Sequence, residues 1–159
     1  MSTKKNAQNT GTINAPDLTQ RAPRSPRAKL GGYALLPRML DKGRATIIGK
    51  NGEYHYNCPL DHHLVEFAGI DPEALKAELA KGKGDWEILE WVNATSKTKP
   101  KPWEIEAWSA YHATRGPVDL ESREYFGDLL AKISDKREDI VSWADLLDLD
   151  DHVSFGGKA

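Results

Sequence analysis

Between Asp61 and Leu147 the chain repeats one pattern: a helix-starting Asp or Pro, apolar residues three and four apart, then a Gly, Pro or Lys stop. This recurrence constrains the fold more than any other feature. A 3.6-residue apolar period builds helical faces and leaves no alternation from which to assemble a large sheet. Asp61 reads as the N-cap of a short helix through Phe67, closed by Gly69. Asp71-Pro72-Glu73 starts another, stopped at Lys81-Gly82-Lys83-Gly84. Asp85 caps a helix that buries Ile88, Leu89 and Val92. Pro102 opens one with Ile105, Trp108 and His112 on a single face, ended by Gly116-Pro117. Asp119 caps a helix whose Phe126, Leu129, Leu130 and Ile133 follow the i, i+3, i+4, i+7 rule, and Ile140, Trp143, Ala144 and Leu147 mark the last.

Upstream, Tyr33, Leu36, Leu40 and Ile47 form one stripe, with Pro37 tolerated because a first-turn N–H has no helical partner. Thr46–Lys50, Asn51-Gly52 and Glu53–Asn57 carry a hairpin signature, since Asn-Gly suits a type I′ turn; a helix end at Gly49 followed by extended chain fits equally. The expected fold is therefore mainly α: a single compact domain of about six helices over residues 16–150, with at most one short hairpin near residues 46–57. Residues 1–15 have almost nothing to bury and read as a disordered tail. Residues 17–32, with Pro23 and Pro26 and no helical period, read as an extended, partly polyproline-like arm on the domain surface. Residues 151–159 read as a frayed end.

Hydrophobic residues at 39% and charged residues at 29% place the chain among soluble globular proteins, and its longest apolar run, Tyr33–Leu36, is far too short to span a membrane. No apolar stretch follows Lys4-Lys5, so no secretory signal is expected, and a lone cysteine, Cys58, fits a reducing, cytoplasmic compartment without disulfides. The net charge of −2 argues against a nucleic-acid binder. It conceals a gradient: residues 1–44 hold nine basic side chains against Asp17 and Asp41, whereas residues 119–151 hold eleven acidic against four basic. Complementary ends of this kind attract each other within one molecule or between copies in a homo-oligomer; two solvated faces of opposite sign are the plainer alternative.

Two sites follow. In the first, Arg21, Arg24 and Arg27 would lie about 9 Å apart along one edge of a polyproline helix, followed by Lys29, the Gly31-Gly32 turn and a helix carrying Arg38. Guanidinium groups grip both oxygens of a carboxylate or phosphate, and a helix N-terminus favours an anion. Arg24, Arg27, Lys29, Gly31, Gly32 and Arg38 are thus the candidate binding residues for an anionic small molecule or an acidic protein surface. The competing role for the arginines is to dock the arm on the protein's own acidic helices. In the second, His55, Cys58, His62 and His63 fall within nine residues beside Asp61 and Glu66. Imidazole moves protons at neutral pH and a thiolate attacks electrophiles, so a small enzyme is the alternative function, with His55, Cys58, Asp61, His62 and His112 as its acid–base or nucleophilic candidates. A metal site is not expected. His62 and His63 are adjacent on the chain, a structural zinc would want a second cysteine, and only the His62/Glu66 pair has helical spacing for one ion. An inert, packed thiol and a hydrogen-bonded core histidine at 112 are the plainer readings. The five tryptophans read as core, with one or two rings lining a groove. Neither the cofactor, if one is used, nor the ligand can be read from these residues.

Asp17–Arg27, Leu30-Gly31-Gly32-Tyr33, Leu36–Lys42, Gly49–Tyr54 and Cys58-Pro59-Leu60-Asp61, taken together, resemble a bacterial domain-of-unknown-function family, the one numbered 5069, over roughly residues 15–150. The resemblance implies a small stand-alone cytoplasmic protein. That family has no established activity, so the resemblance assigns no catalytic or binding residue.

Overall fold

The computed structural model describes residues 12–159, and most of the expected tail, residues 1–11, lies outside the described residues. The described chain is mainly helical: seven helices and one two-stranded antiparallel sheet. In order these are β1 (Lys29–Leu30), β2 (Tyr33–Ala34), α1 (Leu36–Ile47), α2 (Pro59–Ala68), α3 (Pro72–Ala80), α4 (Asp85–Thr95), α5 (Pro102–Thr114), α6 (Leu120–Ala131) and α7 (Trp143–Ser154).

The hairpin is not where Asn51-Gly52 placed it. Lys29 pairs with Ala34 and Leu30 with Tyr33, around Gly31 and Gly32 at φ 57° and 85°, the left-handed pair a tight hairpin turn requires. A Cβ at Gly31 would stand 2.5 Å from Leu89 Cδ1, so α4 also presses on this turn. At Asn51, by contrast, the flanking residues find other partners. The Lys50 carbonyl accepts from Leu18 N–H of the arm, Lys50 N–H donates to Ala45 at the end of α1, and Asn51 Nδ2 and carbonyl close a local turn on Tyr54. No ladder remains to be formed.

Four helix boundaries also move; α4 is capped by Gly84, so Asp85 is its first residue rather than its cap. Tyr33 belongs to β2, and α1 begins at Leu36 after Leu35, which is buried with φ 69°. Helix α2 begins at Pro59, so Asp61 is its third residue rather than its cap and accepts from Cys58 N–H at 3.3 Å. Helix α7 is capped by Ser142, not started at Ile140, and runs through Ser154 instead of fraying at 151, because Val153 packs into a core and Asp151 is held by Arg38 and Tyr54.

Helix α1 is the hub. Leu36, Met39 and Leu40 are buried in a core shared with α2, α3 and α4, and a Cβ at Gly43 would meet Leu79 Cδ1 at 2.6 Å, so α3 crosses there at close range. The polar face of α1 is buried as well, with Arg38, Asp41, Lys42 and Arg44 all under 9% exposed. Burial of four charges is tolerable only if each is paired, and each is. Helices α6 and α7 form a second, smaller core of Phe126, Ile140, Leu146 and Leu149. Several links tie it to the main body: Trp143 N–H donates to Arg115 O at 3.0 Å, Arg38 pairs with Asp151, Tyr54 Oη donates to Asp151 at 2.6 Å, and Arg27 of the arm pairs with Asp145 and Asp148. Between the two cores runs a cleft. Among the tryptophans, Trp91 and Trp108 pack on the main core, Trp108 stacking on Phe67 with centroids 4.8 Å apart. Trp86 and Trp103 are exposed, contrary to a core assignment for all five. No described helix is long and apolar enough to cross a membrane.

Candidate functional site

The arm does not form one polyproline edge. Turns at Asp17–Arg21 and Ser25–Ala28 aim its arginines apart. Arg21 is exposed. Arg24 bonds Asp41 of α1 through Nε (3.1 Å) and Nη2 (3.0 Å), and Asp85 of α4 through Nη1 (2.6 Å). Arg27 reaches Asp145 and Asp148 of α7, and donates to Ser142 Oγ. Arg38 is paired with Asp151 at 2.7 Å and also donates to the Arg24 carbonyl. These contacts join the basic N-terminal segment to the acidic C-terminal one within a single molecule. Burial works against the charge of Asp85, yet the guanidinium groups of Arg24 and Arg44 outweigh it and hold this carboxylate below its ordinary range.

The anion cradle drawn from the sequence is therefore already filled by the protein's own carboxylates. Lys29 is exposed on β1 and lines no described cavity. Gly31 and Gly32 serve the hairpin, whose Gly32 carbonyl accepts from Ser109 Oγ at 2.6 Å. The N-terminus of α1 is covered, because Leu35, Leu36 and Pro37 are buried. A cavity of about 490 Å³ does open beside the arm, where Arg21, Arg24, Arg44 and Lys83 meet Asp41 and Asp85, but three of its four cations are bonded to carboxylates.

The larger opening is the cleft between the cores, about 880 Å³. His55, Cys58 and His63 line its α2 side, Arg38 and Lys42 its base, Arg115 one end, and residues of α6 and α7 the far wall. Under its base lies a closed ion pair. Lys42 Nζ donates to both Asp61 oxygens (2.9 and 2.8 Å) and to Cys58 Sγ (3.3 Å), and the Lys42 and Asp61 side chains are 4% and 2% exposed. The far wall is apolar: Trp143, Leu146 and Leu147 of α7 stand beside Tyr125 and Leu129 of α6.

Of the enzyme candidates, the structure brings His55 and Cys58 to this cleft, beside Arg38 rather than Arg24 or Arg27. Asp61 is committed to Lys42, and His62 is exposed and lines neither cavity. His112 is not on the cleft surface. It packs among Trp108 (centroids 4.2 Å), Tyr111 and His63 (5.3 Å), with Nδ1 buried and without a partner. It is a core residue, though not a hydrogen-bonded one. Burial, then the charge of Arg115, lowers its pKa to about 4; the same two causes lower that of His63. The described residues contain no group of three or more His, Cys, Asp or Glu side chains placed to hold a metal ion.

Sequence reasoning missed Arg115 and Asp150. Arg115 follows α5 at the edge of the Gly116-Pro117 stop and belongs to no basic cluster, so no local pattern marks it. Yet it is the cleft-lining cation without a carboxylate partner among the described residues, since Arg38 and Lys42 are paired. No curated protein matches the chain. Its residues 20–153 match the model of a domain of unknown function, DUF5069, and with most of its length so covered the chain belongs to that family.

Proposed function

We propose that this protein binds a small carboxylate- or phosphate-bearing molecule with an apolar body, in the cleft between the two cores rather than on the arm. One observation carries the reading: Arg115 lines a cleft with an apolar wall and has no carboxylate partner among the described residues, whereas Arg24, Arg27 and Arg38 are each bonded to an aspartate. A guanidinium without an internal carboxylate has its donors available for an oxyanion. The apolar wall supplies affinity by burial, and the charge supplies orientation. Octanoate and inorganic phosphate, added at constant ionic strength, are the probes. The expected result is a rise in melting temperature with at least one of them in wild type and in Arg24→Gln/Arg27→Gln, and none in Arg115→Gln, because a ligand that binds only the folded state stabilises it. A shift lost in the arm variant and kept in Arg115→Gln would return the site to the arm.

A small enzyme with Cys58 as nucleophile is the second reading, favoured by a thiol that shares the cleft with His55 and His63. The geometry supports it less. No described histidine hydrogen-bonds to Sγ, and the nearby carboxylate, Asp61, is engaged by Lys42.

A further inference from the structure

The charges on the cleft wall are sorted by position along α7. Residues 143, 146, 147 and 150 follow the i, i+3, i+4, i+7 rule, so Trp143, Leu146, Leu147 and Asp150 form the single face of α7 that lines the cleft. At its first turn stands Arg115, whose carbonyl accepts from Trp143 N–H at 3.0 Å. Seven residues on, about 10 Å along the axis at 1.5 Å per residue, stands Asp150. The loop before α2 meets that same end, because Tyr54 Oη donates to Asp151 Oδ1, and the loop brings Glu53 with it. Glu53 and Asp150 are exposed and have neither an ion pair nor a hydrogen bond among the described residues. Arg38, whose charge acts on Asp150, is already shared with Asp151. Burial, followed by the like charge of Asp151, raises the pKa of Asp150, and the charge of Arg38 offsets this only in part. Among the described residues, the cleft thus has an unpaired cation toward the start of α7, unpaired carboxylates toward its end, and an apolar wall between them.

We infer that the ligand of this cleft is bipolar, an acid group at Arg115 and an ammonium at Asp150 and Glu53, joined by an apolar chain matched to the α7 face between them, about 10 Å along the helix axis. The inference rests on the cleft-binding reading above and adds the second charge and the length. Two kinds of molecule share this chemistry: an ω-amino carboxylic acid of about eight carbons, and a tripeptide, since three extended residues span about 10 Å.

Calorimetric titration of the full chain with octanoate, 8-aminooctanoate, trileucine and N-acetyl-trileucine tests it. Wild type should bind 8-aminooctanoate or trileucine about tenfold more tightly than the partner lacking the ammonium, octanoate or the acetylated peptide. Whichever pair shows the preference identifies the backbone. Asp150→Asn should erase that preference while leaving the weaker, Arg115-dependent binding of the acid intact; Asp150 is exposed, so this variant folds. Equal binding with and without the ammonium, still lost in Arg115→Gln, overturns the bipolar ligand and leaves the cleft-binding reading standing. Absence of binding by all four, with Arg115→Gln indistinguishable from wild type, overturns both.

Discussion

Arginines serve opposite ends in two regions of this molecule. Along the arm and α1, Arg24, Arg27, Arg38 and Arg44 are each bonded to at least one aspartate, and the carboxylates come from α1, α4 and α7. Across the cleft, Arg115 faces apolar side chains and a pair of histidines whose protonation it opposes. The first region spends its charge on holding elements together; the second keeps charge uncompensated. Clustered basic residues mark a binding surface only when the fold leaves them unpaired. In a chain with so many carboxylates, the isolated arginine is the better guide.

The contrast breaks most visibly at the base of the cleft. Lys42→Met leaves Asp61 buried without its cation and should destabilise the protein by about 3–5 kcal/mol in urea unfolding. Lys42→Met/Asp61→Leu should recover much of that loss, because removing both charges removes the desolvation penalty. A single variant costing under about 1 kcal/mol would mean that the pair is not desolvated and that the paired region is no different from surface.

The next effect is one of pH. His112 has a folded pKa of about 4 against an ordinary 6.5. Above about pH 6.5 both folded and unfolded rings are neutral and this group leaves stability unchanged. As the pH falls below that, the unfolded ring takes up a proton that the folded ring refuses, so stability declines down to about pH 4, by about 3 kcal/mol. Urea titrations between pH 7.5 and 4.5 should show this slope, shallower in Arg115→Gln and reduced to the smaller contribution of His63 in His112→Phe, which keeps the aromatic packing. An unchanged slope in Arg115→Gln would show that its charge does not reach the histidines.

The smallest effect belongs to the arm. The Arg24 and Arg27 side chains are 40% and 38% exposed, so solvent screens their pairs, and Arg24→Gln/Arg27→Gln should cost about 1 kcal/mol. A loss near that of Lys42→Met would show the arm to be as integral as α1. No loss at all would return these arginines to the pool of candidate ligand groups.

Much of the architecture was legible along the chain. Asp71, Asp119 and the prolines at 72 and 102 start helices where cap chemistry places them, and the opposite charge of the two ends foretold contact between them. Turn chemistry was less decisive. Gly31-Gly32 and Asn51-Gly52 are both competent hairpin turns, and the second forms no hairpin because its flanks bond to Leu18 and α1 instead of to each other. Of the candidate site, His55 and Cys58 were legible as a cluster. Arg115, Asp150 and Trp143 were not legible as parts of one wall, since they come from separate segments and meet only through the Trp143–Arg115 backbone bond and the face of α7.

Local pattern and composition are enough to specify the helical class, most of the helix caps and stops, and the sign of the charge at each end. These follow from interactions that reach no further than one helical turn or from simple composition. Tertiary structure decided which charges cancel. Arg27 bonds aspartates 118 and 121 positions away and Arg38 one 113 away, and no local rule ranks such partners over nearer ones. Burial made the choice: a charge taken out of water must find its counter-charge inside the fold, whereas Arg115, left at the edge of a cleft, is under no such demand.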